Sequence, residues 1–122
     1  MKITESNITV KDIEIFGRHG VMEQERSVGN EFLVTVSLDF DATDAMLYDN
    51  VDHTVNYAKV VEITRDVMAV PSMLIENAAH RLIGSLAEAF PLVTGGTVSV
   101  TKVHPPITTP NGGATFTASF KV

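Results

Sequence analysis

The sequence contains no cysteine, no cluster of basic residues and no long apolar run. Without thiols the chain can form no disulfide bond, carry no thiolate nucleophile and build no zinc site from cysteine. A net charge of −6 without any basic block disfavours nucleic acid and anionic membranes as partners. Because no apolar stretch is typical of a signal peptide or a membrane span, we expect a cytoplasmic protein.

Sequence motifs of several large enzyme classes are also missing. The chain has no GxSxG elbow, no Walker loop and no dinucleotide-binding fingerprint. Its four histidines, at positions 19, 53, 80 and 104, lack the i, i+2 or i, i+4 spacing that favours a compact metal site. We therefore expect neither a catalytic metal nor a bound cofactor.

The composition is typical of one globular domain spanning residues 1–122, with 44% hydrophobic and 20% charged residues. Alternating polar and apolar residues predict four strands, and helical spacing predicts two long helices. The strands are placed near residues 8–15, 31–41, 97–102 and 114–122, and the helices between Asn56 and Pro71 and between Ser72 and Pro91. Asn56 and Ser72 are predicted to cap these helices. A change of parity near Lys11 and Asp12 predicts a bulge, and the polar segment 21–30 predicts a loop.

The order strand, strand, helix, helix, strand, strand predicts an α+β fold, a four-stranded antiparallel sheet with both helices on one face. The other face carries mostly small polar residues, with Leu33 as an exception: Thr35, Ser37, Asp39, Thr97, Ser99, Thr101, Thr115, Thr117 and Ser119. Such a face, together with open sheet edges, favours a ring-forming homo-oligomer whose sheets surround a lumen. The preference of threonine for strands is the simpler explanation.

Lys102 occupies an inward-facing position of the third strand. Val98 and Val100 mark the inward face, and Lys102 has the same parity just before the strand ends. An ammonium group directed toward a core must bend out to water, meet an anion or lose its proton. For a single lysine, a frayed strand end with a snorkelling side chain is the structural alternative.

Three further residues are candidates for chemistry, and each also has an ordinary structural explanation. Glu25 could be a solvated loop carboxylate, and Tyr57 could be a helix residue with its hydroxyl at the rim of the core. Glu76 could simply complement the dipole at the start of the second helix. Taken one at a time, these residues do not identify a site.

Together with their neighbours, these residues resemble the dihydroneopterin aldolase family over essentially the whole chain. The matching segments are Arg18-His19-Gly20-Val21 followed by Glu25, Asp52-His53-Thr54-Val55-Asn56-Tyr57, Leu74-Ile75-Glu76, and Val98-Ser99-Val100-Thr101-Lys102 before Pro105-Pro106. The resemblance implies the tunnelling fold, in which sheets assemble into a ring-shaped barrel. It also implies retro-aldol cleavage of 7,8-dihydroneopterin into 6-hydroxymethyl-7,8-dihydropterin and glycolaldehyde in folate biosynthesis, by metal-free acid–base chemistry.

The resemblance also implies roles for five residues. Lys102 would be the central acid–base residue, and Glu25 would work with it and with bound water near the reacting side chain. Tyr57, from a neighbouring subunit, would stack near the pterin and assist proton transfer. Glu76 would anchor the amino and ring N–H groups of the pterin beside the backbone N–H of Ile75. The implied assembly is a homo-oligomer, an octamer of two stacked tetramers.

Three alternatives stay open at this point. An epimerase acting on dihydroneopterin or its triphosphate could use the same proton relay, although a triphosphate needs several cations and Arg18 and Arg26 are the basic candidates. A ring protein that binds pterin without turnover is the second alternative. A zinc-dependent pterin synthase on the same fold is the third, and it predicts bound metal. The turn at residues 107–113 departs from the family pattern, in which a glycine or an acidic residue is common, and it bears on access of the substrate.

Overall fold

Four antiparallel strands, paired in chain order, form one sheet, and the two long helices pack on one of its faces. The computed structural model describes all 122 residues. Its elements are β1 (Asn7–Gly17), α1 (Glu23–Val28), β2 (Asn30–Phe40), α2 (Thr43–Tyr48), a 3-10 turn (Val51–His53), α3 (Tyr57–Met68), α4 (Ile75–Ala89), β3 (Val93–Lys102) and β4 (Ala114–Lys121). The predicted α+β order is confirmed. No helix combines the length and apolar character that a bilayer crossing would require.

Polar and apolar residues alternate along β2, and its apolar side chains form the centre of the core. Its inward side chains are all buried: Phe32, Val34, Val36, Leu38 and Phe40. The facing helices contribute Val60 and Met68 from α3 and Leu82 and Leu86 from α4, each with no exposed surface. Burying each large apolar side chain contributes about 1.5–3 kcal/mol. These contacts fix both helices against the sheet, so the ends of the helices lie at defined positions.

The predicted bulge in β1 is confirmed. The pairing register of β1 with β2 shifts between Val10 and Ile13. Asp12 within the bulge has a positive φ of 51°, and its N–H donates to the hydroxyl of Thr35 at 3.0 Å. The one extra residue gives Ile13 and Ile15 their inward direction, and both are buried.

The polar face of the sheet also matches its prediction. Thr9, Ser37, Thr97 and Ser119 pair across all four strands in one row. Their hydroxyl groups bond to one another, Thr9 to Ser37 at 2.9 Å and Thr97 to Ser119 at 3.1 Å. These cross-strand bonds give the face a continuous layer of short hydroxyl side chains.

Two predictions of local structure are wrong. Residues 21–30 do not form a simple loop, because Glu23–Val28 is the helix α1. This six-residue helix has no apolar stripe, and contacts with residues 18–21 hold it in place instead. Ser72 does not cap α4, since that helix begins at Ile75 after Leu74. The predicted cap at Asn56 is confirmed, because its side chain accepts from the N–H of Ala58 at 3.0 Å.

Candidate active site

Lys102 and Glu25 form a buried ion pair at the end of β3. The Nζ atom of Lys102 lies 2.5 Å from Oε2 of Glu25, and the side chains are only 14% and 9% exposed. Lys102 is paired with Phe32 of β2, next to the core. Of the three outcomes open to an inward-facing ammonium, the structure shows the second, because the lysine meets an anion. A low-dielectric surrounding strengthens this attraction and also makes the loss of either partner costly.

The position of Glu25 depends on the close approach of Gly20. A Cβ atom at Gly20 would lie 2.5 Å from Cβ, Cδ and Oε1 of Glu25, so only glycine leaves room for this carboxylate. The N–H of Met22 donates to Oε1 at 3.4 Å. The guanidinium of Arg26 donates to the carbonyls of Gly20 at 3.2 Å and Val21 at 2.6 Å. The helix α1 is thereby tied to the segment that precedes it.

His19 is a buried neutral histidine that connects this segment to the turn between α3 and α4. Its Nδ1 accepts from the N–H of Ser72 at 3.0 Å, so the proton lies on Nε2, which donates to the carbonyl of Met68 at 2.9 Å. Burial lowers the pKa of His19; the Met68 carbonyl opposes this, and the positive charges of Arg81 and Lys102 add to it. Sequence analysis assigned His19 no role, although it lies in one of the matching segments.

Tyr57, Ile75 and Glu76 lie at the N-terminal ends of α3 and α4. Tyr57 is the first residue of α3 and is 64% exposed. Ile75 is the first residue of α4, where backbone N–H groups have no partner within the helix. Glu76 follows in the first turn, is exposed, and belongs to none of the three ion pairs of the chain. Within one chain, no hydrogen bond or ion pair joins Tyr57 or Glu76 to Lys102 and Glu25.

The two arginines near the site bond to the protein itself. Arg18 donates to the carbonyls of Arg26, at 3.3 Å, and of Ser27. Arg26 donates to the carbonyls before α1, as described above. No three histidine, aspartate or glutamate side chains are grouped as metal ligands would be.

A cavity of about 250 Å³ lies beside Glu25, between α1 and the segment that follows β3, with Met22, His104 and Pro106 in its wall. A larger concavity of about 500 Å³ lies between residues 3–7 and residues 39–46, and neither Lys102 nor Glu25 lines it. We place the site at the smaller cavity because Glu25, the partner of Lys102, lines it. A shielded amine and carboxylate in contact suit acid–base chemistry on a bound molecule.

Comparisons with known proteins identify the family to which the chain belongs. Residues 8–118 match the family model described as dihydroneopterin aldolase. A dihydroneopterin aldolase of Bacillus subtilis is 33% identical over 101 residues, covering 82% of this chain and 84% of that protein. A candidate dihydroneopterin aldolase of Vibrio cholerae has a TM-score of 0.89 at 16% identity, covering 98% of this chain and 100% of that one. The E. coli dihydroneopterin aldolase, solved in complex with neopterin, has a TM-score of 0.81 at 16% identity, covering 93% and 98%. The protein described here therefore belongs to the dihydroneopterin aldolase family.

Proposed function

We propose that the protein cleaves 7,8-dihydroneopterin into 6-hydroxymethyl-7,8-dihydropterin and glycolaldehyde, a step of folate biosynthesis in the cytoplasm. The observation that carries this proposal is the buried pair of Lys102 and Glu25, 2.5 Å apart, in a chain of the dihydroneopterin aldolase family. The E. coli relative, which shares the fold, binds neopterin. A pterin with a hydroxylated side chain is therefore the substrate class that fits best.

For this reaction the protein needs to supply only proton transfers. A base removes the proton of a side-chain hydroxyl, the adjacent carbon–carbon bond breaks, and glycolaldehyde leaves. The electron pair of the broken bond forms a C=C bond to the ring, and the electrons of the C=N bond move onto its nitrogen, which takes up a proton. The remaining side-chain carbon is then protonated while the ring nitrogen gives its proton back, which restores the C=N bond. Because the substrate is its own electron sink, Lys102 need not form a Schiff base and can act with Glu25 as acid and base. Tyr57 assists these transfers.

The groups that would bind the pterin lie at the start of α4. The amino group and the neighbouring ring N–H of a pterin form a guanidine-like edge, which a carboxylate can bind through two parallel hydrogen bonds. Glu76 is exposed and outside every ion pair of the chain, so its carboxylate is open to such a ligand. The unpartnered N–H of Ile75 lies beside it and adds a donor.

We also propose that the site is completed between subunits of a ring-shaped homo-oligomer, an octamer of two stacked tetramers. Tyr57 is exposed in the single chain and makes no bond to Lys102 or Glu25. The sheet ends in two open edges, β1 and β4, that can pair with further copies. The hydroxyl-rich face would then line the inside of the ring.

An epimerase acting on the triphosphate is disfavoured by the surroundings of the two nearby arginines. A triphosphate carries several negative charges and needs several cations. Both Arg18 and Arg26 already donate to backbone carbonyls around α1. The unphosphorylated substrate therefore fits better. Epimerisation of free dihydroneopterin uses the same groups, so product analysis must decide it.

The test is incubation of the purified protein with 7,8-dihydroneopterin in the presence of a chelator. We expect glycolaldehyde and 6-hydroxymethyl-7,8-dihydropterin in equal amounts, measured by chromatography, with no faster turnover of the triphosphate. Lys102→Ala should abolish most of the activity, whereas Lys11→Ala removes an exposed charge and should leave it unchanged. Recovery of an epimer alone, binding without turnover, dependence on added zinc, or a Lys102→Ala protein as fast as the parent would contradict the proposal.

A further inference from the structure

Arg81 holds the turn between α3 and α4 through hydrogen bonds of its guanidinium. Its Nη1 donates to the carbonyl of Val67 at 3.0 Å, and its Nη2 donates to the carbonyl of Val70 and the hydroxyl of Ser72, both at 2.7 Å. Two of these acceptors are carbonyls at and just beyond the end of α3: that of Val67, which also accepts from the N–H of Val70 at 3.2 Å, and that of Val70. The planar guanidinium presents its donors from separate nitrogens in a fixed fork, a geometry that the single nitrogen of an ammonium group does not reproduce.

Ser72 connects the turn that Arg81 holds to the loop that carries His19 and Gly20. The residue is only 7% exposed. Its hydroxyl, besides accepting from Arg81, donates to Oδ1 of Asn77 at 2.7 Å. Its backbone faces the other way, with the N–H donating to Nδ1 of His19 and the carbonyl accepting from the N–H of Gly20, each at 3.0 Å.

Gly20 in turn supports the carboxylate of the site. Glu25 lies so close to the α carbon of Gly20 that an added methyl group would be 2.5 Å from its Cδ and Oε1. The other carboxylate oxygen of Glu25 contacts Lys102. A shift of the Gly20 backbone therefore moves the carboxylate relative to the amine.

We propose that Arg81 and Ser72 are positioning residues that set the Glu25 carboxylate against Lys102 through the hydrogen bond between Ser72 and Gly20. The proposal rests on the proposed function, since the pair matters only if it transfers protons. Neither residue needs to touch the substrate. The start of α4 with Glu76 also contacts Ser72, through Asn77, but it does not depend on that bond alone, because buried residues of the same helix anchor it in the core: Ala78, Ala79, Leu82 and Leu86.

This arrangement predicts a particular kinetic pattern. Arg81→Lys keeps the positive charge but loses the planar set of guanidinium donors. Ser72→Ala loses only the hydroxyl and keeps the backbone N–H and carbonyl. We expect each to lower kcat about 10- to 100-fold, the effect of misplacing a catalytic group by roughly 1 Å. KM for dihydroneopterin should change by less than about threefold, because Glu76 stays in place. Arg65→Lys, at an exposed position of α3, is the matched control and should leave kcat unchanged.

A double-mutant cycle with Glu25→Gln separates positioning from general structural damage. If Arg81 and Ser72 act through Glu25, their substitution in the Glu25→Gln background should lower kcat by less than about twofold. An equal loss in both backgrounds overturns the proposal. Should Arg81→Lys fail to fold, the Ser72→Ala cycle alone decides in the same way.

Hydrogen exchange gives a readout that does not depend on turnover. The amide of Gly20, which donates to Ser72, should exchange faster in both variants than in the parent, while the amide of Val34 in the core stays protected. Unchanged exchange at Gly20 overturns the positioning role. If the parent itself releases no glycolaldehyde, the proposed function fails, and the exchange measurement still decides whether Arg81 controls the position of Gly20.

Discussion

Replacing Gly20 by alanine tests how closely the fold sets the distance between Glu25 and Lys102. The backbone of Gly20 does not have a positive φ, so alanine brings no backbone strain there. The new methyl group would lie 2.5 Å from three atoms of Glu25, including its Cβ. Ordinary contact between carbon atoms needs about 3.5 Å, so the side chain of Glu25 or the whole of α1 must move by about 1 Å.

A displacement of this size should be large for catalysis. Misplacing a catalytic group by 1 Å can cost roughly 100-fold in rate, about 2.7 kcal/mol of transition-state stabilisation. We therefore expect kcat for glycolaldehyde release to fall by about this factor in Gly20→Ala. Steady-state kinetics with 7,8-dihydroneopterin measures it, and far-ultraviolet circular dichroism checks that the variant is folded.

Gly84→Ala is the matched control for this substitution. Gly84 lies in α4, and an added Cβ would meet nothing within 4 Å. Alanine favours a helix interior by about 1 kcal/mol over glycine, so this variant should be more stable with unchanged kcat. A folded Gly20→Ala protein with the kcat of the parent would refute the reasoning, because it would mean that the carboxylate can move without consequence.

Three further predictions follow from the same contacts. Lys102→Met leaves the Glu25 carboxylate buried without its partner and should lower the free energy of unfolding in urea by about 3–5 kcal/mol, while adding Glu25→Gln should recover part of that loss. Because burial lowers the pKa of His19, the unfolded chain takes up a proton on that residue more readily than the folded chain does. The contribution of neutral His19 to the free energy of unfolding is thus fully present above pH 6.5, the ordinary pKa of histidine, and it should fall as the pH drops below that value. The urea midpoint between pH 7.5 and 5.5 measures this fall, and a flat profile would contradict it. If Tyr57 reaches the site of a neighbouring subunit, mixing the inactive Lys102→Ala and Tyr57→Phe proteins under subunit exchange should restore activity, and no recovery would contradict a shared site.

The strand and helix pattern could be predicted because it depends on neighbours along the chain. The strict alternation of β2 predicted its buried face, and the change of parity at Asp12 predicted the bulge. The start of β3 was placed too late, at residue 97, although the strand begins at Val93. Gly95 and Gly96 interrupt the alternation there, because a Cβ at Gly96 would lie 2.2 Å from the carbonyl oxygen of Ser37. That close approach depends on a strand far away in sequence.

The helix α1 and the role of Ser72 escaped prediction for a similar reason. A six-residue helix without an apolar stripe has no periodic signal, and α1 depends on the bonds that Arg18 and Arg26 make to carbonyl groups. Ser72 precedes a helix, as a cap would, but its side chain bonds to Asn77 and Arg81 instead. The roles of Tyr57, Ile75 and Glu76 remain predictions that rest on the family resemblance.

The sequence by itself determined the α+β fold, through the periods of its apolar residues, and the family, through short segments at characteristic spacings. It also left Lys102 three outcomes, because its strand directs an ammonium group toward the core: bending out to water, meeting an anion or losing its proton. Only the tertiary structure decided that the lysine meets an anion, and which one. Glu25 is 77 positions away, and the loop that carries it is held in place because His19 and Gly20 bond to Ser72 in the turn between α3 and α4.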